Sequence, residues 1–196
     1  MSRLIEILSE EHRKIEMLLR VLEQELGVFD RSEPPDYEIL QAIIQYFQDY
    51  PETCHHPKED MVFNKLKARS PAAAKRIGDI EAEHQVETTR LRRLAEAIED
   101  ILAGREFLRQ TFHNLVRDFI EHQRQHMDKE DRLLFPAAAK ALKPEDWAEI
   151  DAQLNNRKDP LSNGEREKSL NVLQRTILQW ERETQVNRVK TDHAQN

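Results

Sequence analysis

Two histidine–glutamate pairs stand out in this 196-residue chain: His55 with Glu59 and His126 with Glu130, each spaced H-x-x-x-E. On a helix, a spacing of four puts both side chains on one face, a turn apart, near enough to serve one ion cluster. Imidazole nitrogens and carboxylate oxygens are donors that first-row divalent metals take. A single such pair arises often by chance on a helical surface. Two pairs, with further histidines at His12 and His84, raise the question of whether the fold brings them to one place.

The elements that would position them follow from composition and periodicity. Only 4 Gly and 8 Pro are present, and long stretches are Ala, Leu, Glu, Lys, Arg and Gln, residues that lose little freedom in a helix. Apolar residues recur at three- and four-residue steps almost throughout, which predicts six helices. The first carries Ile5, Leu8, Ile15, Leu19, Leu22 and Leu26, is opened by Ser2, and ends near Gly27 before the loop GVFDRSEPP. The second starts after Pro34-Pro35 and carries Leu40, Ile43, Phe47, Val62, Phe63 and Leu66; Pro51 and Pro57 inside it predict a kink or two abutting helices. The third is opened by Ser70-Pro71 and runs through Ile77, Ile80, Leu91, Leu94, Ile98 and Ile101 to Gly104. The fourth carries Leu108, Phe112, Leu115, Phe119, Leu133 and Leu134 and reaches about Ala139. A short helix, KPEDWAEIDAQL, a polar break, NNRKDPLSNG, and a last helix to about Gln185, with a Ser162/Glu165 capping box, complete the chain. The expectation is an all-α protein: an antiparallel up-down four-helix bundle over residues 1–140, with a C-terminal helical extension over 141–196.

The histidines fall in the apolar stripes of these helices. The series 5, 8, 12, 15, 19 lands on His12, and 77, 80, 84, 87, 91 lands on His84. The series 43, 47, 50, 54/55, 59, 62 lands on His55 and Glu59, and 112, 115, 119, 122, 126, 130, 133 on His122, His126 and Glu130. Every bundle helix interrupts its buried stripe with an imidazole, and two add a carboxylate. Buried unpaired, such groups would cost several kcal/mol for an ionised carboxylate alone; a bound cation removes that cost. With turning points near residues 70 and 104, His55, His84 and His126 lie at matching heights, the mismatches being about 1–3 Å at ~1.5 Å rise per residue.

The segments EEHRKIE, YFQDYPETCHHPKEDMVFNKL, EAEHQ and FIEHQRQHMDKEDRLLFPAA together resemble the hemerythrin-like, or HHE cation-binding, domains over about residues 1–140. The resemblance implies a non-haem centre of two iron ions, with His12, His55, His84 and His126 as terminal ligands and Glu59 and Glu130 as bridges. Manganese suits the same donors less well under that resemblance. It also implies open coordination positions for dioxygen, peroxide or nitric oxide. Oxygen-carrying members have H-x-x-x-H in the third helix, whereas Thr88 stands four residues after His84 here. Asp131 has the family's spacing from His126, while Glu130 fits the stripe better. A fifth imidazole has two sources, His122 and His56.

Other residues carry less. His113 and His193 read as surface residues, and Cys54, the only cysteine, as an inert buried thiol that excludes an intrachain disulfide. Tyr46 and Tyr50 lie above the histidine layer at helical spacing and read as core. The acid-rich GDIEAEH and the charged outer faces read as solvated surface. ETCH and EAEH match the E-x-x-H of ferritin-like di-iron sites, but they lie on adjacent helices, and the first and fourth helices offer histidines where that plan needs glutamates. The net charge of −7 with mixed basic residues argues against nucleic acid as a partner, and the acid-interrupted start, MSRLIEILSEEHRK, against a signal peptide or membrane span, so a cytoplasmic location is expected. Function then lies between a binding or sensing protein for dioxygen, peroxide or nitric oxide, a di-iron redox enzyme acting on peroxide, and iron storage or repair. Val172, Ile177, Leu178 and Trp180 of the last helix offer either a surface that packs on the bundle or a homodimer contact.

Overall fold

The computed structural model describes residues 2–157 and 163–194. Helix α1, Arg3–Asp30, is N-capped by Ser2, whose hydroxyl accepts from the Leu4 amide at 3.3 Å. It does not stop near Gly27 as expected: the helix passes through Gly27, buries Val28, and the left-handed residue beyond its end is Ser32, at φ 68°. Asp36 then caps α2, Tyr37–Tyr50, accepting from the amides of Glu38 and Ile39 at 3.1 Å each.

The proline-marked kink takes a specific form. Residues Pro51–His55 make a π-helical turn, closed by the His56 amide donating to the Pro51 carbonyl, before α3, His56–Arg69, continues the rod. The third predicted helix divides in two. Helix α4, Pro71–Ile77, stops at Gly78, whose φ of 95° is left-handed, and α5, Ile80–Leu102, restarts on Asp79, which accepts from the Ala82 amide at 3.1 Å. The fourth is also interrupted: α6, Arg109–Lys129, passes into a second π-helical turn, Glu130–Leu134, and then α7, Phe135–Ala141. Each π segment ends two residues before a proline, Pro57 or Pro136. Proline cannot extend the regular ladder, and a wider turn is one way the chain relieves that conflict. Helices α8, Pro144–Arg157, and α9, Asn163–Ala194, follow; Ser162, of the expected capping box, lies outside the described residues, and so does the side chain of His193, on which its surface reading rests.

The chain folds as an all-α antiparallel bundle of four rods, α1, α2 with α3, α5, and α6 with α7, and there is no strand among the described residues. Helix α9 runs along α2 and α1, burying Leu170 and Ile177 in their core, while Gln174 donates to the Lys14 carbonyl at 3.0 Å. Val172 and Trp180 remain exposed and Leu178 is half-buried. Helix α8 is tied to α3 by Arg69, which donates from both Nε and Nη2 to the Asp146 carboxylate at 2.9 Å. No described helix is long and apolar enough to cross a membrane.

The apolar core has two parts. One contains Ile15, Leu19, Tyr46, Phe47, Leu91 and Phe119; the other contains Leu8, Val62, Phe63, Ile80, Leu134 and Phe135. Between them, on all four rods, lies the layer of histidines and glutamates.

Candidate metal centre

Four imidazoles point their Nε2 atoms at two carboxylates. His12 Nε2 lies 3.0 Å from Glu59 Oε1 and 3.4 Å from Glu130 Oε2. His55 Nε2 lies 3.0 Å from Glu59 Oε1, His84 Nε2 3.5 Å from Glu59 Oε2, and His126 Nε2 3.4 Å from Glu130 Oε2. Both glutamates are fully buried. The donor atoms fall into two quartets, His12–His55–Glu59–Glu130 and Glu59–His84–His126–Glu130, each with all its atoms within 4.8 Å of one another. Glu59 and Glu130 belong to both. The arrangement is two cation-sized positions side by side that share two carboxylates.

The opposite nitrogens of the same rings are held from outside. His12 Nδ1 lies 3.1 Å from Asp131, His55 Nδ1 2.8 Å from Glu11, His84 Nδ1 3.1 Å from Asp60 and His126 Nδ1 3.1 Å from Glu83. Each of these carboxylates is the chain neighbour of a centre residue on another rod: Glu11 precedes His12, Asp60 follows Glu59, Glu83 precedes His84, and Asp131 follows Glu130. Lys58 donates to Glu11, and Lys129 donates to Glu83. The layer thus repeats within the chain: Glu-His on α1 with Lys-Glu-Asp at 58–60, and Glu-His on α5 with Lys-Glu-Asp at 129–131. Carboxylates on the far nitrogen fix a ring's tautomer and orientation and raise its basicity as a ligand.

The electrostatics follow from this crowding. Burial alone would lower the four imidazoles of the quartets, but the carboxylates outweigh it: Asp131, Glu130 and Glu59 push His12 up to about 12, Asp60 and Glu59 push His84 up to about 10, and His55 and His126 rise to about 9. Burial likewise opposes ionisation of Glu59, yet His55, His12 and His84 hold it well below the usual carboxylate range. Glu130 goes the other way, raised to about 7 by burial and by the charge of Glu59. Glu83, bonded to His126, falls to about 2.

Of the predicted residues, His12, His55, Glu59, His84, His126 and Glu130 come together in the two quartets. Glu130 turns inward, and Asp131, at 45% side-chain exposure, lies outside as the partner of His12. His56 is buried but stands apart: its ring stacks on that of His84 with centroids 3.8 Å apart, and its Nε2 lies 3.3 Å from Glu87. Half-buried His122 is in neither quartet. His113 is half-buried rather than open surface, with Nδ1 2.9 Å from Asp30, and Cys54 is half-buried. Tyr46 and Tyr50 are buried and stacked, centroids 5.0 Å apart. Glu52 and Glu81, the glutamates of the two E-x-x-H matches, bond Thr88 and Asn64 instead of entering the layer.

The acidic run before His84 corrects an expectation. Glu83 holds His126 and is not solvated surface; Glu87, beyond that run, is 3% exposed beside His56 and His126. The stripe 77, 80, 84, 87, 91 passes through Glu87, so its burial had a signal. Glu11, Asp60 and Glu83 sit one residue off their stripes and had none.

Several inward atoms have no hydrogen-bond partner: Glu59 Oε2, both oxygens of Glu130, and Nε2 of His84 and of His126. Orphaned buried acceptors are costly, and these converge on the two shared positions, where a cation would satisfy them together. The donor set fits a metal. A family model described as Hemerythrin HHE cation binding domain matches residues 3–138. The chain belongs to that family. No curated protein and no solved structure matches it. Hemerythrin-type domains bind metal cations, typically iron, and the residues with the chemistry to do so here are the two His/Glu quartets.

Proposed function

We propose that this hemerythrin-type domain is a non-haem di-iron protein that binds, senses or reacts with dioxygen, peroxide or nitric oxide. The observation that carries the reading is that two quartets share Glu59 and Glu130. A single-ion site has no use for two carboxylates common to two clusters, whereas a pair of ions held close together requires bridging groups. In this reading His12 and His55 would hold one ion and His84 and His126 the other, with Glu59 and Glu130 available to both. Mixed imidazole and carboxylate donors suit iron, with manganese the nearest competitor, and a structural zinc site would favour a closed set of four.

A bound iron pair would supply reversible one- and two-electron chemistry and open positions for a diatomic or peroxide ligand. The chain's own residues do the rest. Glu11, Asp60, Glu83 and Asp131 orient the rings, Lys58 and Lys129 hold two of those carboxylates in place, and the apolar clusters above and below keep bulk water from the layer. Four imidazoles and two carboxylates leave positions unfilled on two six-coordinate ions, so ligand exchange needs no loss of a protein donor.

The test of reactivity is to load the chain with ferrous iron without air and add dioxygen, peroxide and nitric oxide separately, following the near-ultraviolet and visible spectrum. A reversible change with dioxygen or nitric oxide supports binding or sensing, and sustained oxygen evolution from peroxide supports turnover. No spectral response to any of the three would sink the reading.

A further inference from the structure

The repeat that builds the centre is broken in one place. Glu87 stands three residues after His84 where Ile15 stands after His12, and His56 follows His55 where Met127 follows His126. Ile15 and Met127 are buried apolar groups; His56 and Glu87 are equally buried and polar. Neither residue contributes an atom to either quartet. The pair is only loosely held: His56 Nδ1 has no hydrogen-bond partner, and the Glu87 oxygens meet ring nitrogens alone, at 3.3 Å from His56 Nε2 and 3.6 Å from His126 Nδ1, short of hydrogen-bond geometry.

The two residues line a cavity of about 120 Å³. Its buried wall includes Gln123, Phe47 and Leu91, and the exposed Arg92 stands at its rim. Two of its lining residues touch the His84–His126 side of the centre: the His56 ring stacks on His84, and Glu87 Oε1 approaches His126 Nδ1 to 3.6 Å. At roughly 10–15 Å³ of such space per water, the cavity holds several water-sized groups. Carboxylate oxygens need a guest that donates hydrogen bonds, and the Gln123 amide accepts or donates. Dioxygen and nitric oxide have no hydrogen to donate. Hydrogen peroxide donates and accepts, and is about the size of two waters.

We propose that this cavity is a subsite that holds hydrogen peroxide on His56, Glu87 and Gln123 beside the His84–His126 side of the centre. The choice of peroxide among small protic molecules rests on the redox reading above; the recognition chemistry does not. His56 and Glu87 act here as binding residues for a neutral guest, and the one-sided break in the repeat makes the two cation positions inequivalent.

The experiment uses the full chain with ¹⁵N-labelled histidine, loaded with redox-inert zinc, on a Cys54→Ser background so that no thiol consumes the probe. Hydrogen peroxide is titrated and the ring nitrogens are followed by magnetic resonance. The expected result is a saturable shift at His56, none at His113, and none with dissolved dioxygen. Glu87→Leu should weaken the response by roughly tenfold or more, as loss of a charged hydrogen-bond acceptor does. A His56 signal that does not move, that moves only as His113 moves, or that is unchanged in Glu87→Leu overturns the proposal. If Glu87→Leu does not fold, Leu91→Phe narrows the same cavity without touching its polar wall, and an unaltered titration there overturns it equally. Failure to load iron would remove the di-iron reading, yet the same titration of the metal-free chain would still decide the subsite.

Discussion

His12 Nδ1 meets Asp131 Oδ1 at 3.1 Å across 119 residues of chain. The contact joins the first rod to the residue immediately after Glu130, so the carboxylate that faces the centre and the one that orients His12 are consecutive. Asp60 stands in the same relation to Glu59 and His84. Replacing Asp131 or Asp60 by Asn keeps the shape and removes the charge behind one ring. Metal affinity should fall roughly 10–100-fold in each variant, with the helical content unchanged; competition against a chelator of known affinity measures it.

The shared carboxylates and the terminal imidazoles should separate by stoichiometry. Glu59→Ala and Glu130→Ala each remove a group common to both quartets, and should deplete both cations. His12→Ala and His126→Ala each touch one quartet, and should lower occupancy mainly at that position. Elemental analysis of the purified variants checks this, and unchanged metal content in both His126→Ala and Glu130→Ala would sink the ligand assignment.

Acidity should act in opposite directions on the stripped and the loaded chain. His55 and His126 rise to about 9, His84 to about 10 and His12 to about 12. A histidine raised in the fold contributes stability that is present in full below its unfolded value, near 6.5, and is lost as pH climbs through the folded value. The metal-stripped chain should therefore lose this contribution progressively between about pH 6.5 and pH 9 and beyond. Metal uptake needs neutral rings and releases protons, so affinity should strengthen over the same range. Melting temperatures of both forms should diverge as pH rises, and a constant gap would contradict the proton coupling.

Helix α9 supplies no donor to either quartet, but Ile177 is fully buried against the bundle. Ile177→Ala should cost about 2–4 kcal/mol of stability, as large-to-small core changes do, without changing metal bound per folded chain. Denaturant unfolding and elemental analysis together test whether α9 is structural support rather than part of the centre.

Period alone showed much of this. The seam positions of His12, His55, His84 and His126 followed from the three- and four-residue rhythm, because a stripe that packs in the core has a fixed angular position on its helix. Asp60 and Glu83 were invisible for the same reason: one step off the stripe turns a side chain by about 100°, and whether that direction meets water or a neighbouring histidine depends on how the rods cross. Pro51 and Pro57 announced a disturbance but not a π-helical turn, since proline removes a donor without specifying the new ring of hydrogen bonds. Gly78 leaves no mark on the rhythm, because the apolar series runs past it unbroken from Ile77 to Ile80.

The central claim is a pair of cations on shared carboxylates, and counting them tests it most directly. Elemental analysis should be run on the iron-reconstituted full chain after removal of loosely bound metal, with the near-ultraviolet spectrum recorded alongside. Two irons per chain, falling together in Glu59→Ala, is the predicted result from the two overlapping quartets. One ion per chain that survives Glu59→Ala, or no retained iron, would contradict it.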